Sequence, residues 1–271
     1  MASKAFEDTP TEVLRATLRH NAFNLDRAMK SHSLYSDGPV PGRKIADNIA
    51  AILDCLADRG VSNRKADLLH ARHVLNLYER YSADRDYDFS NPHESLARDE
   101  LAVVEKVIRS RRSVRFWTDD TVPVRLIKRV CEAALWAPSA CNTQPVRFII
   151  VRDKEMLRKV NEIAKHPQVE RAPVLIFVAL DEEVLLPGEN TDNKQYLDAG
   201  AAVENMLLEA YALGLGACWM GQKTFRTPAM HTLLTVPDNI KINSGVVLGY
   251  PLEAPLEPGR ISLSDAIIAS C

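Results

Sequence analysis

Residues 196–213 read YLDAGAAVENMLLEAYAL, apolar or small on nearly every side. A helix with no polar face is buried, either in a core or in a subunit interface. Gly214 and Gly216 stop it, and ACWMG at 217–221 begins a short strand. Working outward, INSGVVLGYP at 242–251 supplies one more strand. VLIFVAL at 174–180 is β-branched and apolar enough for a buried one, and VRFIIV at 146–151 reads as another. Helices are expected between these strands and before them, over 97–110, 123–136 and 153–165. Few strands and much helix make the class α+β, with a mixed central sheet flanked by helices.

The first hundred residues carry helical periodicity alone. Residues 11–31 hold Val13, Leu14, Leu18, Phe23, Leu25 and Met29. SDGPVPG then breaks the chain, since Gly and Pro do not continue a helix. Residues 43–59 give the stripe Ile45, Ile49, Ile52, Leu53, Leu56, and residues 63–82 give Leu68, Leu69, Val74, Leu75, Leu77, Tyr78. The polar stretch SADRDYDFSNPHES reads as a connector, so the chain divides into a helical extension, 1–95, and an α+β domain, 96–271.

Bulk properties exclude several classes. A formal net charge of −2 and 26% charged residues give no reason to expect nucleic acid or an anionic membrane as a partner. No apolar run approaches the roughly 18 residues of a membrane span. The acidic start MASKAFEDTPTEV is unlike a signal peptide, so the cytoplasm is the expected location. Five scattered cysteines fit reduced thiols, with Cys131 and Cys218 in the core and Cys141 in a polar loop. His70 and His73 share a helix face, but no acid or cysteine stands at ligand spacing, so no metal is expected.

Three separated segments carry the chemistry. Arg111-Arg112-Ser113-Val114-Arg115, beside Phe116 and Trp117, concentrates arginines that are costly to bury unless they meet an anion. A solvated basic turn after a helix is the plainer reading of that segment by itself. Pro138-Ser139-Ala140-Cys141-Asn142-Thr143-Gln144 has short residues that let backbone approach a flat ligand, and Asn142 and Gln144 both donate and accept hydrogen bonds. Arg260, after the rigid Pro255–Gly259 stretch, is an isolated cation consistent with a fixed phosphate contact or with no ligand at all.

The order RRSVRFW, APSACNTQPVRFIIV, DAGAAVENMLLEAYALGLGACWMG, GYP and PGR closely resembles nitroreductase-like FMN enzymes, over roughly residues 100–265. The resemblance implies an obligate homodimer with FMN in two sites at the subunit interface. It assigns the FMN phosphate to Arg111 and Arg260, with Arg112 and Val114 in the same binding segment, and the ribityl chain to Ser113. Arg115 falls near the N1 and O2 edge of the ring. Pro138, Ser139, Ala140, Asn142 and Gln144 would line the ring, and the backbone of Met220 and Gly221 would cover its other edge. NAD(P)H is the implied electron donor, and a small organic acceptor, nitroaromatic or quinone-like, takes the electrons. Flavin carries the reaction, so no catalytic side chain is implied. Oxidation of a biosynthetic intermediate, dehalogenation, flavin breakdown or flavin binding without turnover are the alternatives. Both connections where the family often places a lid, KHPQVERA and DEEVLLPGENTDNK, are short here. The helical extension is therefore expected to replace the lid or to enlarge the dimer.

Overall fold

The computed structural model describes residues 6, 8–85, 94–184 and 194–269. Helices α1 (Thr11–Tyr35), α2 (Arg43–Asp58) and α3 (Ala66–Asp84) follow one another. Leu14, Leu18, Ala22, Leu25 and Met29 recur every three or four residues along α1 and face Ile49, Ile52 and Leu56 of α2 and Leu68, Ala71 and Val74 of α3. These side chains form a hydrophobic cluster of their own, drawn from residues 14–81. Gly42, at the start of α2, has φ +106°, and a Cβ there would stand 2.7 Å from Leu25 Cδ1. Backbone and packing both require glycine at this turn. The connector expected at 82–95 lies largely outside the described residues.

The second part begins with α4 (Arg98–Ser110) and α5 (Val124–Leu135), followed by β1 (Val146–Val151), α6 (Lys154–Ala164), α7 (Pro167–Arg171) and β2 (Val174–Asp181). After these come α8 (Lys194–Ala212), β3 (Gly216–Met220), α9 (Pro228–Leu233), β4 (Ile240–Gly249) and α10 (Leu263–Ala266). The strands form one sheet in the order β1-β2-β4-β3. All its ladders are antiparallel. The expected mixed sheet is thus corrected: among the described residues the parallel element is a single bridge, Ser113 to Ala217.

Strand periodicity places the two faces of β2 in two different cores. Val174, Ile176, Val178 and Leu180 pack with Val246 and Leu248 against α5 and α8. Leu175, Phe177 and Ala179 face Val160, Val169, Phe225 and Met230 on the other side. Phe177 and Phe225 meet edge to face with centroids 5.0 Å apart. Helix α8 covers the first face, which is why the run at 196–213 lacks a continuous polar stripe. Among the described residues no helix is long and apolar enough to cross a membrane.

Candidate functional site

The arginine segment leaves the C-terminus of α4 and runs along the edge strand β3. Val114 N donates to Ala217 O at 3.0 Å, and Trp117 Nε1 donates to Gly216 O at 2.9 Å. The approach is so close that a Cβ on Gly216 would stand 2.7 Å from Val114 Cγ1. Glu253, after β4, accepts from the backbone N–H groups of Arg115 and Phe116, the latter at 3.2 Å. With its backbone pinned on both sides, the segment exposes Arg115 and leaves Arg111 and Arg112 half-buried.

Those arginines meet Arg260. Arg111, Arg112, Ser113, Arg115 and Arg260 line one cleft of about 310 Å³ with Pro255, Leu256 and Pro258, and no carboxylate lines it. Arg111 Nε is buried with no hydrogen-bond partner, although Glu204 Oε1 lies 3.5 Å away. Glu204 offsets one of these cations, and a cleft lined by four arginines still suits an anion. Arg112 Nη1 donates to the carbonyls of Arg109 and Arg111 at 2.6 and 2.8 Å, so part of that side chain closes the end of α4. Val114 is buried against the sheet, so in this segment only its backbone is available to a ligand. Beneath the segment, burial pushes the Cys218 thiol up, against the opposing pull of Arg115 and Ser113. Burial, with Glu132 nearby, pushes the Cys131 thiol up to about 12. Both are core thiols, as their apolar neighbours suggest. Cys141 is exposed.

The loop Pro138–Gln144 is built differently. Cys141, Asn142 and Gln144 have φ of 50°, 56° and 55°. Asn tolerates the left-handed region, but Cys and Gln enter it at a cost of roughly 1–3 kcal/mol each. The loop is held by Ser139 Oγ, which accepts from Gln144 N at 3.0 Å, and by Asp198 of α8, whose two oxygens both lie 3.1 Å from Ala140 N. Gln144 Nε2 donates to Asn142 Oδ1 at 3.0 Å, so the two amides present one joined polar edge.

Within one chain the structure does not bring this loop to the arginine cleft. Asp198 anchors the loop, whereas Glu204 faces Arg111, about 9 Å further along the axis of α8 at 1.5 Å per residue. Leu207 and Tyr211, further still, flank Arg111 and Arg112. Met220 points into the core, and only its backbone and the exposed Gly221 are available to a ligand. A hollow of about 670 Å³ opens elsewhere, between residues 116–122 and α6–α7, but Arg152, Lys154, Glu162 and Glu170 line it with both signs of charge. Volume favours that hollow; charge favours the smaller cleft, and the chemistry of the lining is the better guide. No group of three or more potential metal ligands occurs among the described residues, and His70 and His73 are exposed. Sequence reasoning missed Asp198 and Glu253. An acid in the first turns of a largely apolar helix was the available signal for Asp198; for Glu253 there was none.

An antiparallel sheet under one largely buried helix, with an arginine-lined cleft at its edge, makes this an α+β core. The chain belongs to the nitroreductase family, whose sequence model matches residues 108–170 and 164–250. A Methanothermobacter thermautotrophicus protein provisionally named an NADH dehydrogenase/NAD(P)H nitroreductase is 37% identical over 170 residues, 59% of this chain and 86% of that one. The Bacillus subtilis FMN reductase [NAD(P)H] is 30% identical over 173 residues, 58% of this chain and 70% of its own. A Desulfovibrio desulfuricans protein, provisionally a nitroreductase and solved in complex with FMN, superposes with a TM-score of 0.56 at 32% identity. The match covers 62% of this chain and 96% of that one. Residues 1–107 lie outside the family match.

Proposed function

We propose that the protein is an FMN-dependent oxidoreductase that passes electrons from NAD(P)H to a small organic acceptor, nitroaromatic or quinone-like. The carrying observation is the cleft in which Arg111, Arg112, Arg115 and Arg260 converge. FMN held there would supply reversible two-electron chemistry between the nicotinamide and the acceptor. The chain's own part is to bind, orient and polarise. Arg111 and Arg260 hold the phosphate, Arg112 adds positive charge beside them, and Ser113 meets the ribityl chain. Arg115 is the cation set beside the ring edge that gains negative charge on reduction, and a fixed charge there favours the reduced form. Ser139, Asn142 and Gln144 offer the mixed donors and acceptors that the ring edge requires.

The site is completed by a second copy of the chain. Helix α4 has no buried residue, and Leu101, Val104 and Ile108 on one of its faces are 48%, 42% and 58% exposed. Trp136, next to the loop, is 87% exposed, and the C-terminal residues Leu256, Ile261, Leu263 and Ile268 are more than 70% exposed. Apolar surface on this scale suits an interface. Dimerisation along α8 joins one chain's cleft to its partner's loop, which no single chain does.

Steady-state oxidation of NADH and NADPH with a generic quinone tests this reading, together with the visible spectrum of the purified protein. A yellow protein that turns over is expected. A yellow protein without turnover would reduce it to a flavin-binding module, and a colourless protein that takes up no FMN would overturn it.

A further inference from the structure

Three left-handed, non-glycine residues in the Pro138–Gln144 loop hold their shape only where the surroundings fix them. Ser139 and Asp198 secure backbone N–H groups at Gln144 and Ala140. Asn142 N and Thr143 N meet the carbonyls of Ser139 and Ala140 within the loop, whereas those of Cys141, Thr143 and Gln144 are met from outside it. Arg147 Nη1 donates to Gln144 O at 3.0 Å. The other two contacts come from the N-terminal helix α1. Arg19 Nη2 donates to Thr143 O at 2.7 Å, across 124 residues of sequence, and His20 Nδ1 lies 3.3 Å from Cys141 O.

Arg19 is only 7% exposed and Thr143 is fully buried. A guanidinium so placed needs a compensating charge. Asp67 of α3 supplies it, with Oδ2 3.3 Å from Arg19 Nη1 and 2.8 Å from Arg15 Nε. Burial raises the Asp67 carboxyl, but hydrogen bonds and charge from Arg15, with the charge of Arg19, hold it below its ordinary value. Arg15 alone makes two hydrogen bonds to Asp67, so the carboxylate is fixed before Arg19 is counted. The apolar stripe of α1 packs α2 and α3 without Arg19. The orientation of Arg19 is explained by the loop carbonyl.

We propose that the N-terminal helices form a clamp on the Pro138–Gln144 loop: Arg19, aimed by Asp67, is a positioning residue. It holds the Thr143 carbonyl and thereby sets how Ser139, Asn142 and Gln144 face the flavin. The inference rests on the reading of this loop as flavin-facing. The clamp comes from residues that precede the family match, so it is an addition to the shared core.

The test uses the full-length protein with Arg19→Met, Arg19→Lys and Asp67→Asn. Amide hydrogen exchange is measured across 139–145, and FMN affinity and the kcat and KM for NAD(P)H are measured alongside. Arg19→Met fills similar volume without donors, so loop exchange should rise at least about 10-fold while β2 and β4 stay protected. FMN affinity should fall roughly 10- to 100-fold, the scale of one hydrogen bond to a charged group. Arg19→Lys should recover part of both effects, and Asp67→Asn should move both in the same direction by less. If Arg19→Met does not fold, these two variants carry the same comparison. Loop exchange at the wild-type rate overturns the clamp whatever happens to the flavin. Exchange raised equally through α1–α3 overturns the positioning role, leaving Arg19 structural. Raised loop exchange with unchanged FMN affinity and kcat keeps the clamp and overturns the flavin-facing reading of the loop.

Discussion

The N-terminal helices and the α+β core bury their apolar residues in different ways. Helices α1–α3 close their stripes on one another, and the large apolar side chains they leave exposed are Leu34, Tyr35 and Leu69. The core saturates both faces of its sheet and still leaves α4, Trp136 and the C-terminal segment uncovered. A region whose apolar residues match its own packing needs no partner, whereas a surplus on one side marks a surface made for another chain. Where the two regions meet, the buried Arg19, held by Asp67 of its own region, donates to the Thr143 carbonyl of the core.

Core truncations offer the largest test of this contrast. Phe177→Ala removes a fully buried ring from the central strand and should cost about 3–5 kcal/mol, and Leu18→Ala in α1 about 2–5 kcal/mol. Urea unfolding followed by flavin release and by far-ultraviolet dichroism separates them. Phe177→Ala should lower the flavin-release midpoint, while Leu18→Ala should first lower the helical signal. Identical shifts in both probes would mean that the two regions unfold as one unit.

Ile108→Glu sharpens the comparison at the surplus surface. The side chain is 58% exposed in one chain, so the substitution should leave that chain folded. Losing an apolar contact of roughly 1.5–3 kcal/mol in each of two chains, and placing a charge between them, should weaken the dimer at least 100-fold. Sedimentation at several concentrations measures this, and a dimer of wild-type strength would place the interface elsewhere.

How much of this was legible follows the same division. The stripes ending at Met29, Leu56 and Tyr78 located three helices whose ends lie within four residues of the predicted boundaries, because local periodicity reports self-contained packing. The largely apolar run at 196–213 likewise announced α8. The cleft was legible because Arg111, Arg112 and Arg115 are sequence neighbours and Arg260 follows a rigid turn. Arg19 and Asp67 were not, since each is one charged residue whose partner lies far along the chain. Nor could the pattern show that Val114 and Met220 face inward, because a strand edge presents side chains to both sides and tertiary packing chooses between them. The sheet's antiparallel order also depends on contacts between distant strands.

Arg260→Ala should leave the fold intact, because among the described residues its side chain hydrogen-bonds only the neighbouring Gly259 carbonyl, at 3.1 Å. Loss of one charge-assisted phosphate contact should cost about 1.5–3 kcal/mol, or roughly 10- to 150-fold in FMN affinity by titration. Wild-type affinity would remove Arg260 from the site. The smallest expected effect is that of Arg115→Gln on flavin potential. Without the cation the reduced form loses a partner and the potential falls, by about 30 mV for each 1.4 kcal/mol of lost stabilisation in a two-electron couple. An unchanged potential would place Arg115 away from the ring.

The central claim is that a flavin site is completed between two copies of the core. Sedimentation velocity of the full-length protein, recorded at once in the ultraviolet and in the blue absorption of flavin, tests it directly. The account predicts a single boundary at the dimer mass carrying both signals, with one flavin per chain, and loss of the blue signal from any monomer formed on dilution. Blue absorbance sedimenting with a stable monomer, or a dimer that binds no flavin, would contradict it.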